Sequence, residues 1–256
     1  MKIKFLGTCA YDYSPRLEGD LKDSFDLDAR RSSSMLIDGQ ILVDCGTHTQ
    51  SSLDIAGVCY DDITDLVITH LHCDHFEPKN IEKIAKNRHI PLRLWLREDA
   101  NVENIEGVEI KRMPLYTPCE LPNGAKITGM KANHDENACP QHLLIEKDSK
   151  SIFYGCDGAW LLNTTYYHLN RRKLDLAVLD CTMGDYDGDY RIGEHNSMQM
   201  LRVMLPSLKT VEIIDEHTKV YFSHLAPSLH APHEKTEQIA NQMGAHVAYD
   251  GLELEI

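Results

Sequence analysis

Short runs of apolar and β-branched residues recur along the whole chain, separated by polar turns. They read as strands at 3–7 ("IKFLG"), 34–46 ("SMLIDGQILVDCG"), 65–70, 92–96, 108–113, 126–134, 142–146, 151–158, 174–180, 219–224 and 246–256. Within the second run, "IDGQ" carries an Asp-Gly hairpin signal that divides it into two paired strands. Helical patterns fall between some of these runs, at 49–57, 76–88, 158–172, 195–206 and 232–243. Pro78 sits in the first turn of the second pattern, while Pro232 and Gly244 bracket the fifth. About eleven strands and five helices, with no short-period repeat and no linker, predict a mixed α/β layer protein built as one domain over 1–256.

Polar residues cluster where these strands end. His70 follows "DLVIT", His134 follows "ITGMKAN", Asp157 follows "IFYGC" and His224 follows "VYFS". Loops at one edge of a sheet are where sites are built, so four such arrivals point to a shared site. The densest stretch is "THLHCDHF", 69–76, with His70, His72, Asp74 and His75 in six positions. In extended chain, residues 70 and 72 point the same way and can meet one ion. Asp74 and His75 lie past the strand, where a turn swings them toward a second. Imidazole and carboxylate donors suit zinc, manganese or iron, and burying four such groups with no metal is costly.

Composition and charge narrow this picture. A chain of 256 residues can bury a sizeable core. No apolar run reaches the roughly 20 residues that span a bilayer, and the start lacks an apolar signal core, which reads as cytoplasmic. The eight cysteines form no C-x-x-C pair, which argues against a thiolate zinc site and for free thiols in a reducing compartment. A formal charge of -14 disfavours nucleic-acid partners, because phosphate contacts need clustered Lys and Arg. A small anionic substrate still fits, since bound dications reverse the local field.

The pattern His70-x-His72-x-Asp74-His75 after an apolar strand resembles the signature of the metallo-β-lactamase superfamily. His134, Asp157 in "YGCDG" and His224 in "FSHLAP" follow in the order that family shows, as do the opening "FLGT" and the hairpin. The resemblance implies an αββα sandwich, two mixed sheets flanked by helices, with a dinuclear site at one edge. It implies that His70, His72 and His134 hold one metal, that Asp74, His75 and His224 hold the other, and that Asp157 bridges them. Asp44 in "VDCG" is similar to a family Asp that orients a ligand, although an Asp before Gly46 is also an ordinary turn residue. Single histidines are more often structural, and His48, His89, His142, His168, His217 and His246 are assigned so.

Between Asp157 and His224 lies "GEHNSMQML". Phosphodiesterase branches of the superfamily, RNase Z-like enzymes and cyclic-phosphate phosphodiesterases, place an extra His in this interval where a helix opens. His195 is similar to it and would protonate a leaving oxygen or steady phosphate charge. The plainer reading makes His195 a bystander to a cap formed by Asn196 or Ser197. Length and the "ARRSSSMLID" stretch look most like the cyclic-phosphate group, but the acidic 9–29 segment lacks that group's paired cysteines. The expected chemistry is two-metal hydrolysis of a small phosphodiester, with water held and deprotonated by Asp74. The rivals are a thioesterase or lactonase using the same metals, a di-iron redox protein, and a non-catalytic metal module. The second is disfavoured because His72 stands where those proteins carry Glu. Arg30 and Arg31 could meet a phosphate, but a solvated pair balancing nearby acids is favoured. His230 and His233 could line a lid, though a proline-broken loop suffices to explain them. The acidic 185–196 stretch lacks the glycine and glutamate of a calcium loop and reads as a solvated flap. Relatives of this kind are often homodimers, and the resemblance admits one here; no membrane partner is expected.

Overall fold

The computed structural model describes residues 1–86, 88–185 and 189–256. The first sheet begins with β1 (Lys2–Gly7), β2 (Ser34–Ile37), β3 (Ile41–Val43), β4 (Asp65–Val67), β5 (Leu92–Arg97) and β6 (Val108–Met113). The second contains β7 (Cys119–Glu120), β8 (Lys126–Lys131), β9 (Gln141–Lys147), β10 (Lys150–Gly155), β11 (Leu176–Asp180), β12 (Lys219–Ser223) and β13 (His246–Val247). A last strand, β14 (Glu253–Glu255), returns to the first sheet and pairs antiparallel with β1. The sheet orders are 14-1-2-3-4-5-6 and 13-12-11-10-9-8-7, seven strands each.

Period-2 alternation explains how two sheets and two helical layers stack. Along β11, Leu176 and Val178 enter the core shared with Ile3, Phe5 and Val43 of the other sheet. Ala177 and Leu179 point the opposite way, against Leu201, Leu205 and Leu208 of helix α4 (Met198–Thr210). The first sheet does the same: Ile41 and Val43 face the inter-sheet core, whereas Leu42 faces outward. There it meets Leu53 of α1 (Thr49–Ile55) and Ile81 and Ile84 of α2 (Pro78–Ala85). Leu169 of α3 (Asn163–Leu169) and Ala240 of α5 (His233–Asn241) join α4 on the far face. Three apolar seams between four layers give the expected αββα sandwich. No helix of the described residues is long and apolar enough to cross a membrane.

Differences from the sequence reading have local causes. The run at 246–256 is not one strand, because "YDGL" turns the chain out of the second sheet and into the first. β7 was not foreseen; two residues carry no period. The third helix starts at Asn163 instead of 158, since Ala159 N–H is spent on the carbonyl of Asn133. The fourth runs on to Thr210 through Pro206 and begins at Met198, where Ser197 Oγ accepts from Met200 N–H at 3.3 Å.

Strand direction then fixes where loops meet. β10, β11, β12 and β13 are mutually parallel, and β8, two antiparallel steps from β10, runs with them. β3 to β6 are likewise parallel. Their carboxyl ends, at β4, β8, β10, β11 and β12, deliver the clustered polar residues, as open α/β sheets commonly do.

One glycine ties this edge together. A Cβ on Gly46 would lie 1.7 Å from the carbonyl oxygen of Asp74, so the β3 loop and the 70–75 loop touch backbone to backbone. Gly46→Ala is expected to force the loops apart, costing about 3 kcal/mol, a Tm drop of roughly 6–12 °C by calorimetry. A Tm within 2 °C of wild type would mean that the contact gives way freely.

Candidate metal centre

The seven residues singled out at strand ends form two donor groups that share a carboxylate. His70, His72 and His134 make the first, with His72 Nδ1 at 3.1 Å from both His70 Nε2 and His134 Nε2. Asp74, His75, Asp157 and His224 make the second. There His75 Nε2 lies 3.3 Å from Asp74 Oδ2 and 3.3 Å from His224 Nε2. Asp157 stands between them: Oδ2 is 3.6 Å from His70 Nε2 and 3.4 Å from His75 Nε2, and Oδ1 is 2.8 Å from His224 Nε2.

Each imidazole has its far nitrogen assigned by a neighbour. Asp44 Oδ2 accepts from His75 Nδ1–H at 2.7 Å. Thr69 donates its hydroxyl to Asp44, which leaves its oxygen to accept from His70 Nδ1–H at 3.1 Å. Thr182 repeats the device, donating to Asp180 and accepting from His224 Nδ1–H at 2.8 Å. The Glu194 carbonyl accepts from His134 Nδ1–H at 3.3 Å, and Asp135 faces His72 Nε2 at 3.5 Å. Every inward nitrogen is therefore a bare lone pair.

That arrangement tests whether the residues fit metal ions. Lone pairs and carboxylate oxygens within 3.1–3.6 Å of one another repel unless a cation lies among them. Zinc–nitrogen bonds of about 2.0–2.1 Å place tetrahedral donors about 3.4 Å apart, which these separations match. Asp157 Oδ1 is buried and makes no hydrogen bond, although His224 Nε2 lies 2.8 Å away, as expected of two donors to one cation. The donor set fits divalent metal at both positions.

Without a cation, the carboxylates instead favour a proton on two of these rings, the charge a metal would replace. Burial alone would lower the His75 pKa, but Asp157, Asp74 and Asp44 outweigh it and raise it well above the ordinary value. For His224 the same contest, won by Asp157, Asp180 and Asp74, ends the same way. His70 is instead held low, by burial and then by His75. Asp180 would be pushed up by burial, yet His195 and His224 hold it well below the carboxylate range.

His195 lies in the loop before α4, three residues short of its first residue. Its Nδ1–H donates to Asp180 Oδ2 at 2.8 Å, and its ring stacks 5.4 Å from that of His224. It lines a cavity of about 610 Å³ with His72, Asp74, His134, Asp157 and His224. Ser197 provides the cap, as the plainer reading had it, while His195 faces the cavity.

Asp180 is the main residue the sequence reading overlooked. It closes the apolar run "LAVLD" as Asp157 and His224 close theirs, the one signal in the sequence that marks it. It accepts from Thr182 N–H, Asn196 N–H and His195. Tyr11 and Arg191, which also line the cavity, carried no motif. His142, assigned as structural, donates Nε2–H to the Asp157 carbonyl at 3.1 Å.

One expectation is corrected. Arg30 and Arg31 are not a solvated pair: both are buried, at 4% and 1% exposure. Arg30 donates to Thr8 Oγ1 and the Ala248 carbonyl, Arg31 to the Leu21 carbonyl, and Asp250 accepts from the backbone N–H of Arg31. They knit distant parts of the chain together, and neither lines the cavity. His230 and His233 do not line the cavity; His230 Nε2–H donates to the Cys181 carbonyl at 2.7 Å, and His233 meets Arg30. The flap expected at 185–196 falls in part outside the described residues. Of the rest, Asp189–Gly193 form a tight turn, and Arg191 and Glu194 reach the cavity wall.

Two predictions follow from these hydrogen bonds. Asp44→Asn leaves His75 without its acceptor and is expected to weaken zinc or manganese binding about 10–100-fold in a chelator competition. Unchanged affinity would reduce Asp44 to a turn residue. Burial pushes the His230 pKa down to about 4. The stability this neutral imidazole contributes is complete above about pH 6.5 and is lost as pH falls toward 4. The stability gap between wild type and His230→Gln should accordingly narrow between pH 7 and pH 4.5 in urea melts.

Comparison with known proteins places this geometry. A family model described as anti-Pycsar protein Apyc1 matches residues 25–90, the segment that contains Asp44 and the 70–75 cluster. No curated protein sequence matches the chain. Among solved structures, the metallo-β-lactamase fold protein YhfI from Bacillus subtilis superposes with a TM-score of 0.76 at 15% identity, covering 100% of this chain and 99% of that one. A diphosphatase from the PhnP family gives 0.73 at 21%, covering 100% and 97%. The short form of human tRNase Z gives 0.69 at 16%, covering 100% and 99%. Sheet order, helical layers and the position of the site at the strand ends together make this chain a metallo-β-lactamase-fold protein.

Proposed function

We propose that the chain is a dinuclear metal-dependent phosphodiesterase acting on a small cyclic phosphodiester of the cyclic-nucleotide class. The observation that carries this reading is His195. An acyl hydrolase needs the two donor groups but no half-buried, carboxylate-paired imidazole lining the same cavity.

Zinc or manganese ions held by His70, His72 and His134, and by Asp74, His75 and His224 with Asp157 shared, would polarise phosphoryl oxygens and acidify water. The chain's own residues supply the rest. Asp74 lines the cavity with one carboxylate edge and is placed to orient an attacking water and accept its proton. Burial would lower the His195 pKa, but Asp180 outweighs it and raises it, which favours the protonated ring. With Nδ1 committed to Asp180, Nε2–H is the proton offered to a departing alkoxide.

The substrate class draws on three supports. A cavity of about 610 Å³ suits one nucleotide-sized ligand. The match at 25–90 is to a model named for an anti-Pycsar protein, which points to cyclic-nucleotide degradation, and two similar folds are a diphosphatase and a tRNase. A charge of -14 weighs against tRNA itself.

Protein reconstituted with manganese or zinc is expected to hydrolyse bis(p-nitrophenyl) phosphate, and His195→Ala to lose about 10²–10⁴-fold in kcat. Brisk p-nitrophenyl acetate cleavage without diester cleavage would transfer the assignment to acyl hydrolysis. The acid must be protonated, so activity falls as pH rises through the His195 pKa. Asp180→Asn removes the charge that raises this pKa and should move the basic limb of the kcat profile to lower pH. An unmoved limb would show that His195 is not the titrating acid.

A further inference from the structure

We propose that Tyr11 sets the specificity of this cavity, its ring stacking on a planar heterocycle, a nucleobase, that the substrate carries. The inference rests on the phosphodiesterase reading and assigns a residue to the part of the substrate that the metals do not touch.

Tyr11 is the one Phe, Tyr or Trp among the described residues of the cavity wall, and the residue is 62% exposed. Folding does not account for it. An exposed ring adds little to a core, and its backbone sits at φ 51°, the left-handed region that penalises a bulky L-residue. Such strain persists only where surrounding structure overdetermines it, and it gathers at ligand sites.

The surroundings do overdetermine it. On one side, Cys9 N–H donates to the Arg31 carbonyl at 2.8 Å, and Ala10 N–H to the Leu225 carbonyl at 3.0 Å. On the other, Asp12 N–H donates back to the Ala10 carbonyl at 2.6 Å, and Asp12 Oδ2 accepts from Ser228 N–H at 2.8 Å. The loop is thus sewn to the buried arginine segment and to the loop after β12. Tyr13 packs edge-to-face with Tyr11, centroids 5.5 Å apart. Tyr13 is itself fixed by Ser32 Oγ at 2.9 Å and by His48 at 4.3 Å. A rigid aromatic of this kind loses little entropy when it meets a ligand.

Position completes the argument. Cys73 and Asp74, inside the metal-binding loop, border the same cavity as Tyr11, so a phosphate at the donor groups leaves its substituent within the wall that Tyr11 supplies. The other cavity residues are small, acidic or imidazole, apart from Arg191, whose guanidinium is already paired to Asp189 at 2.6 and 2.8 Å. Exposed Ile90, Tyr167 and Val203 lie off this wall.

The test compares kcat/KM for 3′,5′-cyclic nucleotides with that for the base-free ribose 3′,5′-cyclic phosphate, using manganese-loaded protein. Wild type should prefer the nucleotide about 10–100-fold, the range of one base–aromatic stack. Tyr11→Ala should collapse that ratio, mainly through KM of the nucleotide, and Tyr11→Phe should preserve it. Tyr11→Leu keeps the bulk without the π-face and serves if the alanine variant melts early; it too should lose the ratio. A ratio near one in wild type, a ratio unmoved by Tyr11→Ala or Tyr11→Leu, or a kcat loss common to both substrates overturns the inference. In those cases bis(p-nitrophenyl) phosphate cleavage still stands and the phosphodiesterase reading survives. Absence of that cleavage as well would overturn both.

Discussion

The hydrogen bond from His75 to Asp44 is the constraint on which the site depends. At 2.7 Å between two fully buried groups, it fixes which imidazole nitrogen carries the proton and so which one presents a lone pair. Asp44 also accepts from the backbone N–H and hydroxyl of Thr69, and Thr69 in turn fixes His70. One carboxylate at the end of β3 therefore sets a ligand of each donor group. Asp180 plays the matching part on the second sheet, through Thr182 to His224 and directly to His195. The two sheets contribute equivalent devices, and Asp157 joins them.

This economy comes from packing. Parallel strands bring their carboxyl ends to one edge whatever their sequence, and burial on both faces keeps them there. The Leu176–Leu179 run alternates between two cores, so β11 cannot slide by one residue without exchanging its inter-sheet face for its helical face. Asp180, the next residue, inherits that register. The precision of the donor groups is thus a consequence of apolar alternation several residues away, with the Gly46–Asp74 backbone contact supplying the last fit.

The parts of this architecture legible in the sequence are those governed by short-range pattern. The hairpin at 34–43, the alternating runs and the dense 70–75 cluster needed no tertiary information. Asp157 and His224 could be picked out because each ends an apolar run. Asp180 ends one too, but it lacks a dense motif, and its role exists only through Thr182, His195 and His224, which are distant in sequence. Arg30 and Arg31 misled for the opposite reason. Beside so many acids a solvated pair is the natural expectation, yet they lie in the interior, where Arg30 meets Thr8 and Ala248, and Asp250 holds the Arg31 backbone. Sequence proximity to surface acids said nothing about that. The split of 246–256 between two sheets was hidden likewise, because a partner strand is a long-range fact.

Charge gives the last step. Asp44, Asp74, Asp157 and Asp180 are at most 5% exposed, and no Lys or Arg forms an ion pair with any of them among the described residues. Their counter-charges are imidazoles, and protonated imidazoles cannot also converge on one point as His70, His72 and His134 do. Without metal the site must choose between repelling carboxylates and repelling imidazolium groups. Dications among the lone pairs would resolve both, and would reverse the sign of the cavity on a protein of charge -14. On the proposed reading, an anionic phosphate would then be drawn to one edge of an otherwise repelling surface, at the cavity that His195 and Tyr11 both line.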